Sequence, residues 1–318
     1  MKRAGARRGA SPRRRIVGKL AIFGVGLIGG SFALALKRRK AAGYVVGVGR
    51  NRANLLAARR LGVIDEIATD PAMAVKDADL VLLAVPLGQT AAVLAQIAPH
   101  LAAHTVITDA GSTKRDVIAA ARRHLGAAFA RFVPAHPIAG NEKSGARAAL
   151  ADLYQGCDVI VAPEPETDAH ALRLVTAAWK LCGMRVITMN GAEHDRVFAL
   201  VSHMPHLLSF ALVGNIAGYR DAAALFRHTG GGFRDLTRIA GSSPEMWRDV
   251  CLANRDTLLA ALDGYLDELE LLRGMVEASD GQGLEARFAA ARAARAKWLI
   301  KNLEPQRTQR TPRKAKSI

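Results

Sequence analysis

KLAIFGVGLIGGSFALALKR, residues 19–38, is the stretch whose reading decides the fold. Lys19 to Phe23 read as a short apolar strand, GVGLIG follows, and an Ala/Leu-rich segment of helical character closes the unit. A GxGxxG turn between a strand and a helix is the fingerprint of a dinucleotide-binding βαβ unit. Gly24 permits the tight turn, Gly26 lets a pyrophosphate approach the backbone, and Gly29 lets the helix pack against the sheet. The helix opening at Leu27 and Ile28 offers unpaired amides to the phosphates. A second strand, Tyr44 to Val48, follows at the distance the unit requires.

Further strands are read in ADLVLLAVP, ending at Pro86, and HTVITDAG, ending near Asp109, then at Arg131 to Pro134, Cys157 to Val161 and Met184 to Thr188. Ala/Leu/Arg/Lys segments of helix length separate the early ones, which predicts a parallel sheet covered on both faces. After Asn190 the texture becomes helical. AEHDRVFALVSHMPHLLSFALVGNIAG reads as one long helical region bent near Pro205, whose ring removes a backbone donor and crowds the preceding turn. A glycine-rich crossing, HTGGGFRDLTR, leads to helices that open at a Ser cap followed by Pro244 and Glu245. Leucines on more than one helix face predict packing against a second copy, hence a homodimer. The expected organisation is a basic tail at 1–16, a dinucleotide-binding domain at 17–188, a helical substrate and dimerisation domain at 189–300, and a second basic tail at 301–318.

The chain of 318 residues has 45 Lys and Arg against 28 Asp and Glu, a net charge of +17. Thirteen of those excess charges sit in residues 1–19 and 301–318, which leaves about +4 on the body. This is the pattern of a modestly charged body with solvated ends, and no specific nucleic-acid partner is expected. Three cysteines without paired spacing exclude a disulfide scaffold or a cysteine-rich zinc module and predict a reducing compartment. No apolar run reaches the roughly 20 residues that cross a bilayer. MKRAGARRGASPRRR lacks the apolar stretch of a secretory signal, so a cytoplasmic protein without membrane association is predicted.

The end of the second strand should choose the cofactor. An NAD site places Asp or Glu there, and this chain has Gly49 followed by Arg50, with no carboxylate between Gly24 and Arg60. Arg50, helped by Asn51 or Arg52, could bind a 2'-phosphate, so NADP is expected to be preferred and NAD remains possible. Pro86 is placed to line the crevice. Ser112, in DAGSTK, either caps the next helix or donates a hydrogen bond into the crevice. His136 stands between Ala135 and Pro137 on a stiff backbone, where a neutral imidazole could accept a proton from a substrate hydroxyl. His203 and His206 share a helix face. Without HExxH or an adjacent carboxylate set no metal site is expected. Arg234 and Arg238, after the Gly230–Gly232 run, are suited to clamp an anionic substrate.

GVGLIGGS, DAGSTK, HPIAGNEKSG, SHMPH and GGGFRDLTRIAGSSPEMWRD, in this order, resemble the prephenate and arogenate dehydrogenases, also called cyclohexadienyl dehydrogenases, over about residues 17 to 300. The resemblance implies an α/β protein with an N-terminal Rossmann-like nucleotide-binding domain and a C-terminal all-helical dimerisation domain. It implies oxidative decarboxylation of prephenate to 4-hydroxyphenylpyruvate, or of arogenate to tyrosine, with hydride transfer to NADP or NAD. It further implies that His136 is the catalytic histidine and that Ser112 interacts with it and with the ring hydroxyl. Arg238 then binds the ring carboxylate, and His206 lies near the substrate side chain. Arg234 stands where some members carry Lys, and Gly49 departs from the NAD-using pattern. Two other readings are a β-hydroxyacid-type dehydrogenase and a dinucleotide-sensing or nucleic-acid-binding protein. The first would use a lysine base, yet no Lys occurs between Asn190 and Gly232.

Overall fold

The computed structural model describes residues 15–141 and 143–307. Six parallel strands form the first sheet: β1 (Val17–Phe23), β2 (Ala42–Val48), β3 (Glu66–Ile67), β4 (Leu80–Leu83), β5 (Val106–Asp109) and β6 (Phe132–Val133). Their order is β3-β2-β1-β4-β5-β6, so the connections reverse direction between β1 and β4. That switch opens the crevice in which doubly wound folds bind nucleotides. Helices α1 (Leu27–Arg38), α2 (Arg52–Arg60), α3 (Pro71–Val75), α4 (Leu87–Ile97) and α5 (Arg115–His124) make the crossovers. Period-two alternation divides the core: Leu20 and Ile22 face one apolar layer with Phe32 and Trp179, and Ala21 and Phe23 face another with Leu83 and Trp247.

A second sheet was not foreseen. β7 (Ala135–Pro137) pairs antiparallel with β8 (Asp158–Val161), and β8 pairs parallel with β9 (Arg185–Thr188) across α6 (Ala169–Cys182). The segment read as one strand at Arg131–Pro134 ends after two residues, because Pro134 has no amide to continue the β5 ladder. Its carbonyl turns instead to the Ala162 amide at 2.9 Å, and the chain passes into the second sheet with His136 opposite Ile160. The two-residue β3 carries no alternation that a sequence reading could use.

The helical half comprises α7 (Gly191–Phe198), a π-helical turn at Ala199–His203, and α8 (Met204–Ala217), followed by α9 (Ala222–Arg227), α10 (Gly231–Thr237), α11 (Pro244–Ala253), α12 (Arg255–Glu277) and α13 (Gly281–Arg307). The bend expected near Pro205 takes the form of that π turn, which absorbs the missing donor without ending the helix. Gly191–Ala217 is continuous over 27 residues and contains an 18-residue window of mean hydropathy 1.6, so by length and composition this one helix, among the described residues, could cross a bilayer. This departs from the expectation that no apolar run reaches the roughly 20 residues that cross a bilayer. The buried His194, Asp195 and His203 on it find polar partners inside the protein.

The chain divides into two compact units, residues 1–259 and 260–318. In the second, α13 is tied to α12 by Arg287 and Glu268 at 3.6 Å. The N-terminal basic tail lies almost wholly outside the described residues. Most of the C-terminal one does too, although α13 runs on to Arg307.

Candidate active site

The crevice at the sheet switch is a cavity of about 620 Å³ whose walls include Gly24, Gly26, Arg50, Asn51, Pro86 and Gln89. Gly24 has φ +92°, and a Cβ there would lie 2.2 Å from the Ala84 carbonyl oxygen. A Cβ on Gly29 would lie 2.3 Å from the Gly24 oxygen, so the helix can approach the strand only with glycine there. Nothing stands within 4 Å of a Cβ built on Gly26, the space a pyrophosphate needs. Gly26 is also the N-cap of α1 and offers no side-chain cap, which leaves the first-turn amides, beginning with Leu27 and Ile28, to a ligand. The site therefore fits a dinucleotide.

At the adenosine end Arg50 is exposed, 3.7 Å from Glu245 of α11. With the Gln89 amide turned oxygen-first, Arg50 also donates to it at 2.8 and 3.0 Å. Asn51 caps α2 by accepting from the Asn54 amide at 2.9 Å. Asn54 was missed in the sequence. It donates to the Val25 carbonyl at 2.7 Å and accepts from the Ala146 amide at 2.7 Å, bracing the glycine turn from the side.

His136 lies beyond the end of β5, where Lys114 and Asp109 form a fully buried ion pair. Lys114 Nζ donates to the Ala135 carbonyl at 2.8 Å, and Asp109 accepts from the Ala135 amide at 2.9 Å. Both backbone groups of the residue before His136 are thus clamped. His136 Nδ1 is 2.8 Å from His194 Nε2, and His194 Nδ1 is 2.8 Å from Asp195 Oδ1. Phe198 packs edge-on against the His136 ring, with centroids 4.8 Å apart. Burial, reinforced by the neighbouring His194, Lys114 and His203, pushes His136 well below the ordinary histidine range, so its imidazole is neutral at physiological pH. Burial alone would raise the Asp195 carboxyl. Hydrogen bonds from His194 and from the Arg115 and Lys114 amides outweigh that effect and hold it below its ordinary value.

Ser112 is half-buried beside this group and does not cap α5, which starts at Arg115. Asp195 takes that place, accepting from the Lys114 and Arg115 amides at 2.8 and 2.9 Å. The capping role considered for Ser112 is therefore filled from another helix.

His206 stacks on Trp247, with centroids 3.6 Å apart, and bonds through Nδ1 to the Ser202 carbonyl at 2.9 Å. Because a carbonyl only accepts, Nδ1 carries the proton and Nε2 is left as an acceptor. Burial lowers the basicity of His206, and the charge of Arg238 lowers it further, which brings that guanidinium into the same neighbourhood. Arg234 and Arg238 are both exposed, on α10 and at the turn after it. His203 is fully buried, with Nδ1 3.1 Å from Asn254 Nδ2, so it belongs to the framework behind the site and not to its open wall. No metal-binding cluster of His, Cys, Asp and Glu occurs among the described residues.

The buried histidines make stability depend on pH. Burial pushes His203 down to about 4. Between about pH 6.5 and that value the unfolded chain binds a proton that the folded protein refuses, so stability falls as pH falls and then levels off. The expected loss across this window from His203 alone is on the order of 3 kcal/mol. Urea denaturation at a series of pH values checks it, and a flat profile between pH 7 and 4.5 contradicts it.

A crevice that fits a dinucleotide and a buried, neutral histidine chain, both in residues 1–259, match the parts a nicotinamide-nucleotide-dependent dehydrogenase needs. Residues 32–188 match the family model for the prephenate dehydrogenase nucleotide-binding domain, and residues 190–290 match that for the prephenate dehydrogenase dimerization domain. The chain belongs to the prephenate/arogenate (cyclohexadienyl) dehydrogenase family, NAD(P)-dependent oxidoreductases of aromatic amino acid biosynthesis. It is 37% identical to the cyclohexadienyl dehydrogenase of Zymomonas mobilis over 87% of this chain and 94% of that one. It is also 37% identical to the prephenate dehydrogenase of Bacillus subtilis, over 85% and 73% of the two chains. The crystal structure of the Aquifex aeolicus prephenate dehydrogenase with hydroxyphenyl propionate and NAD+ superimposes with a TM-score of 0.82 at 34% identity, covering 91% of this chain and 99% of that one. Family membership sets aside the β-hydroxyacid and non-enzymatic readings.

Proposed function

We propose that this enzyme oxidatively decarboxylates prephenate to 4-hydroxyphenylpyruvate and accepts arogenate, yielding tyrosine, as a second substrate. The carrying observation is the neutral His136 with its Nδ1 engaged by His194, which leaves Nε2 as the ring's acceptor. Nε2 takes the proton of the C4 hydroxyl as that carbon is oxidised. A bound nicotinamide supplies the hydride acceptor. Loss of the C1 carboxylate as carbon dioxide follows because its bonding electrons complete an aromatic ring. Ser112 donates to the reacting hydroxyl, Arg238 holds the ring carboxylate with Arg234 adding charge, and His206 Nε2 meets the substrate side chain. His203 supports this wall from behind. Residues 17–188 hold the cofactor and 189–300 the substrate. The names of the Bacillus and Zymomonas relatives support this substrate class. Steady-state assay of purified protein with prephenate and with arogenate tests it, and no turnover of either refutes it.

The same reading takes NADP as the preferred cofactor. Gly49 supplies no acid for the ribose, and Arg50 stands at the cavity edge, although Glu245 shares its charge. A Cβ on Gly49 would come no closer than 3.6 Å to Leu55, so an Asp fits there without strain. Gly49→Asp with Arg50→Ala is expected to move kcat/KM discrimination toward NAD by roughly tenfold or more, by attracting ribose hydroxyls and repelling the 2'-phosphate. A parent enzyme that uses NAD ten times better than NADP contradicts the preference. The enzyme is further proposed to work as a cytoplasmic homodimer, with exposed Leu200, Val201, Leu236 and Leu252 covered by the second copy. Sedimentation of the intact chain tests that assembly.

A further inference from the structure

We propose that His194 and Asp195 are positioning residues that set the protonation geometry of His136, keeping its Nε2 bare and aimed for a substrate hydroxyl. The inference rests on the assignment of His136 as the base. It follows from the donors and acceptors in order. An ionised carboxylate only accepts, so the 2.8 Å contact with Asp195 Oδ1 places a proton on His194 Nδ1. A neutral imidazole carries one N–H, so His194 Nε2 is bare and accepts from His136 Nδ1–H across 2.8 Å. His136 in turn has its own N–H committed and Nε2 unprotonated. One buried carboxylate thereby fixes two tautomers in series.

Asp195 is itself prevented from turning. Its two oxygens accept from the Lys114 and Arg115 amides, and Arg115 Nε adds a third contact at 3.3 Å. Arg115 is held from the other side by both oxygens of Asp256. Asn254 Nδ2 donates to the Asp195 backbone carbonyl at 2.8 Å, and the same nitrogen lies 3.1 Å from His203 Nδ1. The charged and titratable groups facing the pair are therefore Lys114 and Asp109 behind His136, Arg115 and Asp195 at α5 and α7, and His203 on the π turn.

The chain also has a place for the proton. When His136 Nε2 takes the hydroxyl proton, the proton on its Nδ1 can pass to His194 Nε2. His136 is then neutral again and His194 is the cation, bonded to Asp195. Lys114 disfavours the positive charge at both rings, but at His194 the bonded Asp195 carboxylate, with Asp109, favours it. Release to solvent reverses the same two transfers, so no proton is gained or lost by the pair over a turnover.

The test compares His194→Phe, His194→Gln, His136→Asn and the double variant His136→Asn/His194→Phe. His194→Phe is expected to lower kcat roughly 10- to 100-fold while KM for substrate and cofactor stays within about twofold, because only the orientation and proton affinity of the base change. His194→Gln, whose amide oxygen can still accept from His136, is expected to recover part of that loss, and it serves the same comparison if the Phe variant does not fold. In the His136→Asn background, loss of His194 is expected to add little, since its effect passes through His136. Nitrogen-15 histidine spectra of the ligand-free protein are expected to show His136 protonated at Nδ1 and bare at Nε2 in the parent, with that preference lost in His194→Phe. Parent-like kcat in His194→Phe, full additivity in the double variant, or a parent His136 protonated at Nε2 overturns the proposal. Parent-like turnover in His136→Asn instead removes the base assignment, which separates the two failures.

Discussion

In the His136→Asn enzyme, turnover is expected to fall by roughly 10²- to 10⁴-fold, the range a lost general base covers, while dinucleotide binding is kept. The substitution is structurally mild. Backbone pairing of residue 136 with Ile160 does not depend on the side chain, and an Asn amide can still donate toward His194 Nε2. What disappears is the bare ring nitrogen. The pH profile carries a second check. Because burial depresses the basicity of His136, the base is already neutral at pH 7 and kcat/KM of the parent should fall only below the ordinary histidine value of about 6.5. That acidic limb should vanish in the variant. Turnover within a few fold of the parent, or an unchanged limb, would show that another group takes the proton.

Arg238→Ala is expected to raise the substrate KM about 10- to 100-fold, the equivalent of about 1.5–3 kcal/mol for a hydrogen bond to a charged group. Stability should change little, since Arg238 is exposed in the short turn Arg238–Gly241 after α10. The end of α10 that leads into the turn is held by the Ser209 hydroxyl donating to the Leu236 carbonyl at 3.1 Å. Cofactor KM should stay at the parent value, because the dinucleotide crevice lies among other residues. Circular dichroism and melting confirm that the variant is folded. A folded Arg238→Ala enzyme with parent KM refutes the clamp.

The nucleotide half was legible because its signals are local. A glycine fingerprint sits between strand and helix, apolar runs are bounded by turns, and Gly49 and Arg50 come at the spacing where a ribose contact belongs. The positions of β1, β4, β5, β8 and β9 follow from such runs, although β1 begins at Val17 and not Lys19, and β4 ends at Leu83 and not Pro86. The second sheet was not legible. It depends on Pro134 refusing a ladder bond and on β7 finding a partner more than twenty residues away. The histidine chain was hidden for the same reason. His136 and His194 are 58 positions apart and become neighbours only when α7 packs on α5. His194 and Asp195 are adjacent in the sequence, but nothing local shows that their side chains turn toward one buried target. His203 and His206 share a helix face in sequence, yet one is sealed against Asn254 while the other lies on Trp247. A helical wheel does not rank positions within a face by depth.

The cap that Asp195 places on α5 also limits how this enzyme can breathe. A swing of α7 about residues 189–190 would strip two amide bonds and the Arg115 contact from one buried carboxylate, and leave that charge without partners in an apolar interior. The route from β5 through α5 to α7 is therefore stiff. The corresponding ties are absent, among the described residues, at the Gly230–Gly232 run that opens α10, where the glycines have no close neighbours and the side chains of α9 and α10 are largely exposed.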